Sequence, residues 1–173
     1  MNTGGKTGEM KGLICIACAM AMFLLFPLRI LGQEPPPRPL VINTTAQELS
    51  FGTFSLTGGG GTVTVSANGS RGSGGTVILL SISPFHSTTR LELIANPGTL
   101  VSLLIWPSST ISDGTHTMSF TIDSSQPVLP LVITTEPPAA TILDLGATLT
   151  VGSLLSNPAG YYTGSYNITL FQE

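Results

Sequence analysis

The sequence predicts an all-β domain, a sandwich or a barrel, and three observations carry that prediction. Turn signals built on Gly, Pro, Asn and Asp recur about every 8–12 residues along residues 40–173. Between them apolar and polar residues alternate, the period of two that gives a strand one buried and one solvated face. No stretch beyond residue 32 shows the spacing of an amphipathic helix. The longest alternation comes last, with Tyr162, Gly164, Tyr166, Ile168 and Leu170 on one face and Thr163, Ser165, Asn167 and Thr169 on the other. It reads as one long terminal strand over residues 161–171, around which the sheets are completed.

The N-terminus is organised differently. Lys6 and Lys11 precede an apolar run over residues 12–26, Pro27 and Arg29 interrupt it, and Gly32 offers a small residue for cleavage. Basic, apolar and small parts in that order are a secretory signal, and the run is shorter than the ~20 residues a membrane helix needs. The expected organisation is a signal peptide over 1–32, a Pro-rich spacer over 33–39 and a β domain over 40–173. An uncleaved anchor is the alternative. Export places the domain in the periplasm or on the outer cell surface, with membrane contact only through the signal before its removal.

The 141 residues beyond Gly32 suffice for one domain with its own core. Both cysteines, Cys15 and Cys18, lie in the signal, so burial and sheet hydrogen bonds must hold the domain without disulfides. From Gln33 onward three arginines (Arg38, Arg71 and Arg90) face eight acids, a net charge of −5, and no lysine follows Lys11. Such a chain cannot neutralise a row of phosphates, which argues against nucleic acid as a partner.

Taken in order, residues 33–39 form an extended polyproline spacer. Leu40, Val41 and Ile42 begin a strand; Leu49, Phe51 and Thr53 share a face of the next, with Gly52 marking a bulge or close backbone approach. The four glycines at 58–61 read as a loop, because glycine loses most entropy in a strand. Val63 and Val65 point inward, residues 68–75 form a second flexible turn, and the continuous apolar run 76–83 reads as a central strand covered on both faces. Leu91 and Leu93 point inward, Arg90 and Glu92 outward. Asn96, Pro97 and Gly98 form a turn, a strand follows over 100–106, and Asp113 with Gly114 closes a hairpin. Met118, Phe120 and Ile122 share one face, residues 128–134 form a further strand, and Leu149 and Val151 alternate in the penultimate one. The predicted core is Phe51, Val63, Leu79, Leu93, Phe120, Val151, Tyr166 and Ile168.

Chemistry is sparse. His86 and His116 read as loop or strand-edge residues, and Asp113, Asp123 and Asp144 as single acids beside turns, too scattered for a calcium cluster. The chain has no Gly-x-Ser-x-Gly elbow, no His-Glu-x-x-His, and neither cysteine nor lysine beyond the signal for covalent work. No catalytic, cofactor or metal residue is assigned, and a non-enzyme is expected. Trp106, Tyr161, Tyr162 and Tyr166 could build a sugar-stacking platform, although Trp106 and Tyr166 read first as core or strand-corner aromatics. Three Asn-x-Ser/Thr triplets, at Asn43, Asn68 and Asn167, are chance matches in a chain this rich in Ser and Thr.

Three blocks in order carry a resemblance: residues 49–54 (LSFGTF), 60–65 (GGTVTV), and the pair 146–151 (GATLTV) and 158–166 (PAGYYTGSY). Together with the turn at Asn96 they resemble the secreted bacterial family known as domain of unknown function 4402, in its Bacteroidetes-type members. The same blocks are similar to spore-coat protein U-like and chaperone–usher pilin domains. The resemblance implies an immunoglobulin-like antiparallel β-sandwich. It also implies a non-catalytic structural or adhesive surface role, as a fibre or pilin-like subunit that joins itself or other surface subunits by strand pairing. Gln172 stands where pilins carry an aromatic, and the pilin disulfide is missing. A carbohydrate-binding module is the alternative.

Overall fold

The computed structural model describes residues 39–173. The expected signal peptide and the spacer up to Arg38 lie outside the described residues. The chain runs through β1 (Val41–Gln47), β2 (Ser50–Phe51), β3 (Phe54–Val65), β4 (Arg71–Leu79), β5 (His86–Ser87) and β6 (Thr89–Ile94). It continues through β7 (Leu100–Leu103), β8 (Ser108–Ser112), β9 (Thr117–Gln126), β10 (Leu131–Val132), β11 (Thr141–Val151) and β12 (Leu170–Gln172). Every strand pairing among the described residues is antiparallel, and the domain is an all-β sandwich.

The organising element is β11, not the terminal strand. One edge of β11 pairs with β9 over Asp144–Thr150. The other pairs first with β6, through 141–145, and then with β3, through 147–151. Gly146 sits where β6 gives way to β3; a Cβ there would overlap the Ala67 nitrogen and the Val65 carbonyl, so the changeover needs glycine. The large sheet runs β1-β6-β11-β3-β4, with β9 and β8 extending from β11. A three-stranded sheet, β10-β7-β12, and the short pair β2-β5 complete the fold.

Alternation sets the core. Leu143, Leu145, Leu149 and Val151 of β11 are buried with Leu91 and Leu93 of β6, Val63 and Val65 of β3, and Met118, Phe120 and Ile122 of β9. Val101, Leu131 and Ile133 join the same cluster from β7, from β10 and from just past it. All eight residues predicted for the core belong to this cluster or pack on it, Leu79, Tyr166 and Ile168 being partly buried.

Several elements differ from expectation. Residues 161–171 do not form one strand: Thr163 makes a single bridge to Ser112, and only β12 pairs with β7. The facing was nevertheless read correctly, since Tyr162, Tyr166, Ile168 and Leu170 all pack on the core. The glycines at 58–61 lie inside β3 rather than in a loop. There β3 and β4 approach so closely, across a register irregularity between Leu56 and Gly61, that a Cβ on Gly61 would overlap the Gly74 carbonyl. Backbone contact no side chain permits outweighs the entropy that glycine loses. For the same reason the turn after β3 is short, and Arg71 through Gly75 belong to β4.

The run 76–83 is not a central strand. β4 pairs only with β3, ends at Leu79, and leaves Ile78 and Ile82 exposed. The strand expected over 100–106 stops at Leu103, and Leu104, Ile105 and Trp106 are exposed. Of 128–134, only Leu131 and Val132 form a strand. The first expected strand is longer than predicted and belongs to this domain's own sheet, Val41 pairing with Ile94 and Ile42 with Leu93.

Candidate functional site

The domain carries a groove of about 960 Å³ with an apolar floor and a mixed rim. Phe51, Met118, Phe120 and Leu149 of the core reach its surface, and Phe54, Leu56, Tyr162 and Tyr166 line it further out. The tyrosines are tethered by their hydroxyls. Tyr162 donates to the Pro158 carbonyl at 2.9 Å, and Tyr166 shares a hydrogen bond with the Thr89 hydroxyl. Burial raises both phenol pKa values, that of Tyr162 further through nearby Asp113. Phe120 holds the inner wall, edge-on to Phe51 at 5.8 Å and to Tyr166 at 5.6 Å between ring centroids.

Two strand-like edges border this groove without strand partners among the described residues. β3 pairs with β4 along its length but with β11 only from Gly61 onward, so its second edge is open over 54–57. In the terminal segment Thr163 donates its N–H to the Ser112 carbonyl at 2.9 Å and accepts the Ser112 N–H at 2.7 Å. In an extended segment the flanking residues then present their backbone groups the other way, away from β8. Apolar floor and unpaired backbone edges are the two things an additional strand needs.

The residues read as candidate chemistry are dispersed and locally occupied. His86 Nε2 lies 3.2 Å from the Gly69 carbonyl. His116 lies in the β8–β9 turn, where Asp113 Oδ1 accepts the N–H groups of Thr115 and His116 at 2.8 and 2.7 Å. Those bonds, aided by His116 Nδ1 at 3.1 Å, hold the Asp113 carboxyl well below the usual carboxylate range. Because its pKa is lowered on folding, Asp113 contributes stability that is complete above its unfolded pKa of about 3.9 and lost as pH falls below it. Thermal midpoints measured from pH 5 downward should therefore decline, and Asp113→Ala should flatten that decline.

Among the described residues no group of three or more His, Cys, Asp or Glu is placed to hold a metal ion. The aromatics expected to form one platform are divided: Tyr161, Tyr162 and Tyr166 line the groove, whereas exposed Trp106 does not. The groove itself was missed in the sequence, because Phe51, Phe120, Leu149 and Tyr162 come together only through strand register.

Fold and site together define an antiparallel β-sandwich with an open-edged apolar groove. Residues 41–171 match the family described as Domain of unknown function (DUF4402), and the chain belongs to that family. No curated protein matches the chain, and no solved structure matches it.

Proposed function

We propose that this chain is an exported, non-catalytic structural or adhesive domain of the bacterial cell surface, joining copies of itself or other surface subunits by strand addition. The observation that carries the reading is the groove, where an apolar floor lies between two unpaired backbone edges. A strand laid there would gain main-chain hydrogen bonds and pockets for alternate side chains. The histidines and Asp113 are engaged in turn and loop contacts, which fits a scaffold better than a reaction centre.

Light scattering on the exported protein over a range of concentrations tests the assembly. Self-association is expected, and Tyr161→Arg should weaken it without unfolding the domain, since Tyr161 lines the groove yet is 76% exposed. A protein that stays monomeric at every concentration, and captures no surface subunit when displayed on its own cells, would overturn the strand-addition reading. Protease added to intact cells should remove the domain; full protection until lysis would overturn the surface location.

A further inference from the structure

We infer that a second, polar cleft on the large sheet is a binding site for neutral saccharide. It is an open cleft of about 630 Å³, a volume within the range of small-molecule sites. Strand register builds it. Gln47 of β1 is opposite Arg90 of β6, Arg90 is opposite Asp144 of β11, and Asp144 is opposite Gln126 of β9. Four planar polar side chains thus form one row across four strands, spaced by about 5 Å between cross-strand neighbours. Asn68 and His86 close one side of the cleft.

Most of these groups are held by a bond that leaves another polar atom open. Arg90 donates from Nε and Nη2 to the two carboxylate oxygens of Asp144, at 2.8 and 3.0 Å, a bidentate pair that fixes the guanidinium. Its Nη1 has no hydrogen-bond partner among the described residues. Gln47 Nε2 donates to the carbonyl and hydroxyl of Thr88, at 2.8 and 3.2 Å, which leaves Oε1 as an acceptor. Asn68 Oδ1 accepts from the N–H and hydroxyl of Ser70, which leaves Nδ2 as a donor. His86 is steadied through Nε2, leaving Nδ1. Open donors and acceptors are therefore both present in the cleft, and Gln47, Asn68, His86 and Arg90, already held, lose less freedom when a ligand binds.

The ligand class follows from charge and polarity. Arg90 is already neutralised by Asp144, whose side chain is only 15% exposed, so an incoming anion would meet a compensated pair. One carboxylate is too few for calcium, and one guanidinium is too few for a phosphate backbone. Among the described residues Ala67 alone lines the cleft with an apolar side chain, so a flat hydrophobic ligand gains little. A neutral polyol with vicinal hydroxyls, each both donor and acceptor, suits every open group. The cleft adjoins the groove proposed for assembly, sharing Gln47 and Ser87 with it, whereas Asn68, Arg90, Gln126 and Asp144 line the cleft alone.

Isotope-labelled exported protein should be titrated with maltose, cellobiose, lactose and mannobiose at tens of millimolar, and amide shifts followed by NMR. At least one disaccharide is expected to move the signals of Gln47, Asn68, Arg90 and Gln126. Gln126→Ala, a change at an exposed position, should weaken that binding about tenfold, the loss of one good hydrogen bond. Arg90→Lys, which keeps the charge and loses the fork, should weaken it as well. Added salt should leave the affinity unchanged. No shift with any of the four sugars would overturn the proposal. So would stronger, salt-sensitive binding of polygalacturonate, or shifts centred on Tyr161 and Tyr162. None of these results depends on the oligomeric state, so this site and the assembly reading fail separately.

Discussion

Replacing Phe120 with alanine should cost about 3–5 kcal/mol, the usual loss for a large aromatic removed from a core. Phe120 is 3% exposed and lies on β9 directly opposite Leu149 of β11. Its ring makes edge-on contacts with Phe51 from β2 and Tyr166 from the terminal segment. The cavity would therefore open where three separate parts of the chain meet, and none belongs to a sheet position that can simply close inward. Against a total stability of about 5–15 kcal/mol, the variant should melt many degrees lower or fail to fold. A chemical denaturation curve measures it. A midpoint within a degree or two of the parent would show that Phe120 does not hold these parts together.

Side-chain facing was legible because it depends only on local alternation. Leu91 and Leu93, Met118 and Phe120, Tyr166 and Ile168 all face as their period of two requires. Which strand is central was not legible. β11 looks ordinary because the phase slips at Gly146, with Leu145, Gly146 and Ala147 buried in succession. Its rank comes from three partners whose residues lie as far away in sequence as Gly61, which pairs with Val151. The run 76–83 looked central through composition alone, yet β4 has one neighbour and exposes Ile78. Propensity reports a fit to a pleated surface and not a place in the sheet.

The same limit hid both surfaces of interest. The glycines at 58–61 read as a loop by their entropy, but Gly61 is required by close contact with Gly74 and Gly75 on the next strand, and Gly60 by contact with Val151 and Gly152. The row of Gln47, Arg90, Asp144 and Gln126 has no spacing a sequence could advertise, because each member sits on a different strand. What local sequence did announce were the turns: Asn96 to Gly98 and Asp113 to Gly114 close where proline, glycine and a side-chain carboxylate demand.

Ending the chain after Gly160 should be more damaging than deleting its first strand, and the two truncations together test how the domain is closed. The segment lost at the C-terminus covers the core with Tyr162, Tyr166, Ile168 and Leu170. Each fully buried side chain of this kind is worth about 1.5–3 kcal/mol, so four partly buried ones contribute about 4–6 kcal/mol. The cut also removes β12 from β7, the paired backbone bonds of Leu100 with Glu173 at 2.9 and 3.0 Å, and the bridge of Thr163 to Ser112. That sum approaches the whole stability of a domain this size. Deleting residues 33–43 instead removes Val41 and Ile42, which are 54% and 38% exposed, from a strand that pairs only with β6. Half-buried Leu40 is the main packing loss, together with its N–H bond to Gln172 Oε1 at 2.6 Å. Circular dichroism should show a cooperative but lower melt for the N-terminal deletion and no cooperative transition for the C-terminal one. Equal melts would mean that the terminal segment covers the core without stabilising it. A C-terminal truncation that regains its transition when residues 161–173 are supplied as a separate peptide would show that the place of this terminal segment, beside β7 and β8, accepts a strand from another chain.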